Sequence, residues 1–131
     1  ASSVPSGITQ SSDAFGLGMD GANNPIGRYE IQMLGATVMA NGAAGQYKAS
    51  DNDGASWMAF GASTLRMSAF DLYPRIYALD LASAGGGAQP APITSASVGL
   101  QVVATIQPES ALDTSSEISL DGSATIELVY L

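Results

Sequence analysis

The chain has 131 residues, of which 46% are hydrophobic and only 12% charged; four basic against twelve acidic side chains give a formal charge of −8. That length fits one domain with a real core, and the acidic balance disfavours phosphate backbones and anionic lipid surfaces. The absence of Cys and His removes disulfides, thiolate chemistry, imidazole bases and the usual zinc or copper sites.

Charged residues usually make up about 25% of a soluble domain, so Ser, Thr, Asn, Gln and Gly must cover much of this surface. Such a balance suits secreted, wall-exposed or fibre-forming β-proteins. No run of about 18 apolar residues is present, so no membrane insertion is expected. No basic, apolar leader opens the chain, and an export signal is expected to have been removed or to lie upstream.

Residues 1–24 carry little hydrophobic pattern beyond Phe15 and Leu17 and read as a loop entering a sheet. A complete β-sandwich should open on a patterned strand, yet Ala1 to Gln10 reads as mid-loop, so the chain is expected to be the carboxyl-terminal part of something longer. Arg28 to Met33 sets Tyr29, Ile31 and Met33 against Arg28, Glu30 and Gln32, the period of two that marks a strand. Ser63 to Leu72 reads equally as a short helix or an alternating strand. Arg75 to Leu81 alternates less cleanly around Tyr77, Leu79 and Leu81.

Gly85-Gly86-Gly87 with Pro90 and Pro92 predicts a floppy connection that blocks regular pairing until Ile93. Ser97 to Gln107 is the longest alternating run, with Val98, Leu100, Val102, Ala104 and Ile106 on the core side. Gly122 to Leu131 closes the chain as a further strand reaching the last residue, with Ala124, Ile126, Leu128 and Tyr130 on one side. Such a strand can pair within its own domain or with another chain.

Asn23-Asn24-Pro25, Asn41-Gly42, Asp53-Gly54 and Asp121-Gly122 supply the turns, because Asn, Asp and Gly tolerate positive φ. There is no internal repeat. Residues 1–131 therefore read as a single all-β domain, most simply a sandwich of about six or seven antiparallel strands, each with one wet face.

Few residues suggest chemistry. Asp51-Asn52-Asp53-Gly54 opens like a calcium loop but lacks the later Glu, and a hairpin turn explains it better. Lys48 and Ser50 would share a strand face and make a solvated patch. Glu117 with Asp121, or Asp71 with Asp80, could be imagined as a glycosidase carboxylate pair; a turn accounts better for Asp121, and an outward strand position for Asp80. Trp57, Tyr47 and Phe60 could be imagined as a sugar-stacking platform, against the plainer reading of Trp57 as core. The scattered Arg28, Arg66 and Arg75 form no basic patch. With no nucleophile, base or metal cluster in view, neither catalysis nor a cofactor is expected.

Several short stretches do resemble a known family. Asp13-Ala-Phe-Gly-Leu-Gly18, Ile26-Gly-Arg-Tyr29, Asp53-Gly-Ala-Ser-Trp57 and above all Asp121-Gly-Ser-Ala-Thr-Ile-Glu-Leu-Val-Tyr-Leu131 resemble the fimbrial-like proteins of chaperone–usher pilus systems, a pilin-like domain of unknown function. The resemblance implies an immunoglobulin-like (pilin-type) β-sandwich that is incomplete, because family members carry earlier strands, often with cysteines, that have no counterpart here.

It also implies a structural subunit of a bacterial surface fimbria, exported through the periplasm. Its partners would be neighbouring pilus subunits and a periplasmic chaperone, with self-association through exposed strands, and no nucleic acid. Pilins fold one strand short, and a partner's strand fills the groove. Ile126, Leu128 and the penultimate Tyr130 match the alternation of the terminal strand that lines such a groove. The alternative is an adhesin-like sandwich that binds carbohydrate or protein at the cell surface.

Overall fold

The computed structural model describes residues 14–67 and 76–128. Seven strands form within them: β1 (Phe15–Gly16), β2 (Gly27–Ala40), β3 (Ala43–Ser50), β4 (Met58–Gly61), β5 (Thr64–Arg66), β6 (Ile76–Leu81) and β7 (Ala96–Ile106). All their pairings are antiparallel, and a 3₁₀ turn, Glu109–Ala111, is the one helical element among the described residues. The chain is thus all-β, built as an open antiparallel sheet.

β2 organises the sheet. Its alternation buries Tyr29, Ile31 and Met33 and turns Arg28, Glu30 and Gln32 to the other side, where Arg66 Nε meets Glu30 Oε2 at 2.9 Å. β1 and β5 occupy one edge of β2, with Phe15 opposite Tyr29 and Leu65 opposite Met33. β7 takes the other edge and pairs Ala104 with Tyr29, Val102 with Ile31 and Leu100 with Met33. Directly opposed residues lie on one face of a sheet, so these three β7 side chains continue the inward row of β2. The run expected over Ser97 to Gln107 is found as Ala96–Ile106, and that over Arg28 to Met33 lies inside β2.

Gly35 marks the point where β2 leaves this arrangement. Its N–H donates to Ser63 O at 3.2 Å, and a Cβ there would overlap the Ser63 carbonyl and come within 2.7 Å of the Tyr47 ring. The β2–β7 register shifts just beyond, between Leu34 and Met39. Asn41 and Gly42 then close a two-residue hairpin at φ 51° and 79°, the geometry of a type I′ turn. β3 starts in that hairpin and passes on to pair with β4 and β6. Met33 and Val38 from β2 and Tyr47 from β3 form one buried cluster, against which Leu79 and Val98 pack, with Phe60 stacked on Tyr47 at 5.3 Å. A second cluster gathers Phe15, Leu17, Ile26, Tyr29 and Ile31.

The glycine-rich stretch after β6 is not the floppy connection its composition suggests. It lies as a strap across the outward face of β3 and β6. Lys48 Nζ donates to Gly85 O at 2.8 Å and to Ala88 O at 3.0 Å, and Gln46 Nε2 donates to Leu81 O and Ala84 O. Asp80 Oδ1 accepts from the N–H groups of Leu81 and Ala91, while Oδ2 meets Lys48 Nζ at 2.7 Å. The solvated patch expected for Lys48 and Ser50 is therefore absent: both are buried, and so is Asp80. Their strand positions do point outward, but buried carbonyls need donors and buried charges need partners, and the strap brings both.

Two loops satisfy themselves in a similar way. Ser50 Oγ accepts from the N–H groups of Asn52 and Gly54, and Asn52 Oδ1 accepts from Ser56 N–H, which ties the turn after β3 to its own backbone. This turn joins the paired strands β3 and β4, as a hairpin should. Of the ambiguous run from Ser63 to Leu72, Thr64–Arg66 is strand and residues 68–72 lie outside the described residues, as do residues 1–13.

Asp20 holds the loop before β2. Its carboxylate accepts from the N–H groups of Ala22, Asn24 and, at 2.6 Å, Asp113, and from Asn24 Nδ2. The Asp113 N–H bond, followed by the Asn24 and Ala22 donors against a burial effect, lowers its pKa to about 2. A carboxyl with a depressed folded pKa contributes stability above its unfolded value, about 3.9, and loses it as the pH falls through the folded one. The thermal stability of the wild type should therefore fall between about pH 4 and pH 2. Asp20→Asn should start lower at neutral pH and fall less steeply across that window. Parallel pH profiles for the two proteins would mean that Asp20 carries none of it.

Candidate functional site

The inward face of β7 is where the core is left open. Gly27, Ile31 and Met33 on β2 are buried, yet their β7 partners on the same face stand out: Ile106 is 52% exposed, Val102 64% and Leu100 45%. An apolar cleft of about 410 Å³ runs along this face. Leu17, Tyr29, Ile31, Val102 and Ala104 form its floor, and Leu120, Gly122 and Ala124 its opposite wall. The far edge of β7 carries no ladder among the described residues, since β7 pairs with β2 alone. An apolar face beside an unpaired edge can do one thing well: accept an extended segment that supplies backbone bonds and alternating apolar side chains.

The wall comes from the closing stretch, but not in the form expected. Residues 121–128 join no strand, and Ile126 and Leu128 are exposed at 52% and 80% instead of lining the cleft; Tyr130 lies outside the described residues. Alternation makes a segment able to lie in a sheet but does not by itself place it on an edge: β1, β3, β5 and β7 take both edges of β2, and residues 121–128 do not pair with the far edge of β7. The same period-two row does reach the cleft earlier, through Leu120, Gly122 and Ala124.

Asp121-Gly122 is not a positive-φ turn either. Asp121 N–H donates to Leu17 O at 2.9 Å, and Gly122 is needed for close approach, because a Cβ there would sit 2.6 Å from Tyr29 Cε1. Under this cover the Tyr29 hydroxyl is buried without a hydrogen-bond partner among the described residues. Burial raises the phenol's pKa, so at ordinary pH it remains an O–H donor. Phe15 stacks on the same ring at 5.2 Å.

The other candidates are tied up elsewhere. Tyr47 and Trp57 are buried, and Trp57 Nε1 donates to Gln89 Oε1 at 2.9 Å, so they form no sugar-stacking surface. Asp80 is committed to Lys48, and Asp71, its imagined catalytic partner, lies outside the described residues. Sequence reasoning had placed Val102 and Ala104 on the core side; it missed that nothing within the described chain covers them. Five inward apolar positions on one strand were the available signal, since such a row requires a covering layer.

Comparison with protein-family models, with curated proteins and with solved structures finds no match to this chain. The functional reading therefore rests on the cleft itself.

Proposed function

We propose that the chain is a structural subunit of a bacterial chaperone–usher type fimbria, an immunoglobulin-like, pilin-type sandwich completed by a strand from another polypeptide. The single observation that carries this reading is the exposed inward face of β7 beside an edge that carries no ladder among the described residues. Full burial of a large apolar side chain contributes roughly 1.5–3 kcal/mol. Leu100, Val102 and Ile106 are already about half covered, so covering the remainder adds on the order of 2–4 kcal/mol for the three together. The entering segment's own side chains and a ladder along β7 add to this. A periplasmic chaperone would hold the cleft first, a neighbouring subunit afterwards. The acidic, sparsely charged composition suits a surface fibre. Burial of Tyr47 and Trp57 leaves the adhesin alternative without its platform.

Expression in a bacterial periplasm together with a pilus chaperone tests the reading. The chain is expected to co-purify with the chaperone and to exchange it for an extended peptide with alternating apolar residues. A stable, soluble monomer that takes up neither would overturn the proposal.

A further inference from the structure

We infer that the segment filling the cleft presents a hydrogen-bonding side chain at the level of Ala104, where it pairs with the Tyr29 hydroxyl. This inference rests on the strand-capture reading above and adds a rule of specificity to it.

Three observations point to it. The first is the hydroxyl itself. Tyr29 is only 7% exposed, and its oxygen has no partner among the described residues. A buried donor left unpaired is costly, so native structures seldom keep one. Tyr47 shares that condition, but it belongs to the cluster between β2 and β3 and does not line the cleft.

The second is the notch beside Tyr29. Ala104 stands directly opposite Tyr29 on the inward face, between the larger Val102 and Ile106. A residue on a strand added along β7 would continue this row, and the small Ala104 side chain lets it reach toward the phenol. The third is the cover. The Gly122 backbone lies close to the Tyr29 ring, and the hydroxyl nevertheless gains no bond from it. Residues 120–124 form no strand ladder and are tied to the floor by Asp121 N–H to Leu17 O. An entering segment that displaces this cover exchanges an unsatisfied hydroxyl for a satisfied one. A wholly apolar segment would leave the hydroxyl orphaned, so the cleft discriminates against it.

A peptide series tests the rule. The probes are extended peptides of about ten residues with valine at every cleft-facing position, and variants in which threonine replaces one valine at a time. Threonine nearly preserves the shape of valine and adds a hydroxyl. Affinities are measured for the wild type and for Tyr29→Phe, together with the thermal stability of each free protein. At one position threonine should tighten binding to the wild type by roughly three- to tenfold, and the preference should vanish in Tyr29→Phe.

Free Tyr29→Phe should be at least as stable as the wild type, because it loses an unpaired hydroxyl. Loss of stability in the free variant would show that the hydroxyl already has a partner, and would overturn the inference. Binding without a threonine preference, or with the same preference in both proteins, would overturn it while leaving strand capture intact. Failure of every peptide to bind the wild type would overturn both.

Discussion

Replacing Lys48 by methionine is expected to cost about 3–5 kcal/mol, the usual penalty for stranding a buried charge. Natural domains are stable by only about 5–15 kcal/mol, so the variant should sit near the edge of unfolding. The Lys48 ammonium lies 2.7 Å from Asp80 Oδ2 and also satisfies the carbonyls of Gly85 and Ala88, with neither charged side chain exposed. Methionine matches the length of the stem but leaves a carboxylate and two carbonyls without their donor.

The pH dependence should reverse sign. In the wild type, burial pushes the Asp80 carboxyl up, yet the Lys48 ammonium and the Ala91 and Leu81 N–H groups together outweigh it and hold the pKa below its ordinary value. That contribution is present at neutral pH and is lost in acid. Without Lys48 the burial effect is opposed by two N–H groups alone, and the carboxyl should rise. A raised folded pKa favours the protonated form, so the defect should be greatest near neutrality and ease as the pH falls. Adding Asp80→Asn should recover part of the loss. Urea unfolding at neutral and mildly acidic pH measures all of this. A variant that unfolds at the wild-type urea concentration would show that the ion pair does not secure the strap.

The second large effect concerns assembly. Val102→Asp should change the stability of the free protein by no more than about 0.5–1 kcal/mol, because the side chain is 64% exposed. Once a segment covers the cleft, the same carboxylate would be desolvated against Ile31 and the incoming side chains. Capture of an alternating peptide should weaken by at least about a hundredfold, on the order of 3 kcal/mol. Self-association measured by light scattering should fall with it. Thr105→Asp is the control. It lies opposite Arg28 on the other face of the same strand and should leave binding within about twofold. Equal losses from both substitutions would mean that the inward face of β7 is not the docking surface.

The two effects show how unevenly the sequence could be read. Tyr29, Ile31 and Met33 against Arg28, Glu30 and Gln32 placed a strand and its inward face correctly, and the longer run near β7 did the same for Val102 and Ala104. Asn41-Gly42 and Asp53-Gly54 carry the positive φ values their residue types suggest. Lys48 and Asp80 were misread because a period of two tells only which way a side chain leaves the strand. Their burial depends on a strap more than thirty residues away along the chain from Lys48, anchored by hydrogen bonds from Lys48 and Gln46. Asp121-Gly122 was misread for a related reason. Its glycine answers to the Tyr29 ring beneath it, not to a local turn.

The amino-acid order by itself determined the all-β class, the principal strands and the orientation of their side chains, because backbone alternation and turn chemistry act over a few neighbouring residues. The three-dimensional arrangement alone decided which of those faces are covered. It buried Lys48 and Asp80 beneath the strap, left Val102 and Ile106 more than half exposed, and brought the Gly122 backbone onto Tyr29. Covering a face requires another part of a polypeptide to arrive from a distance, and alternation within a strand does not specify which part arrives.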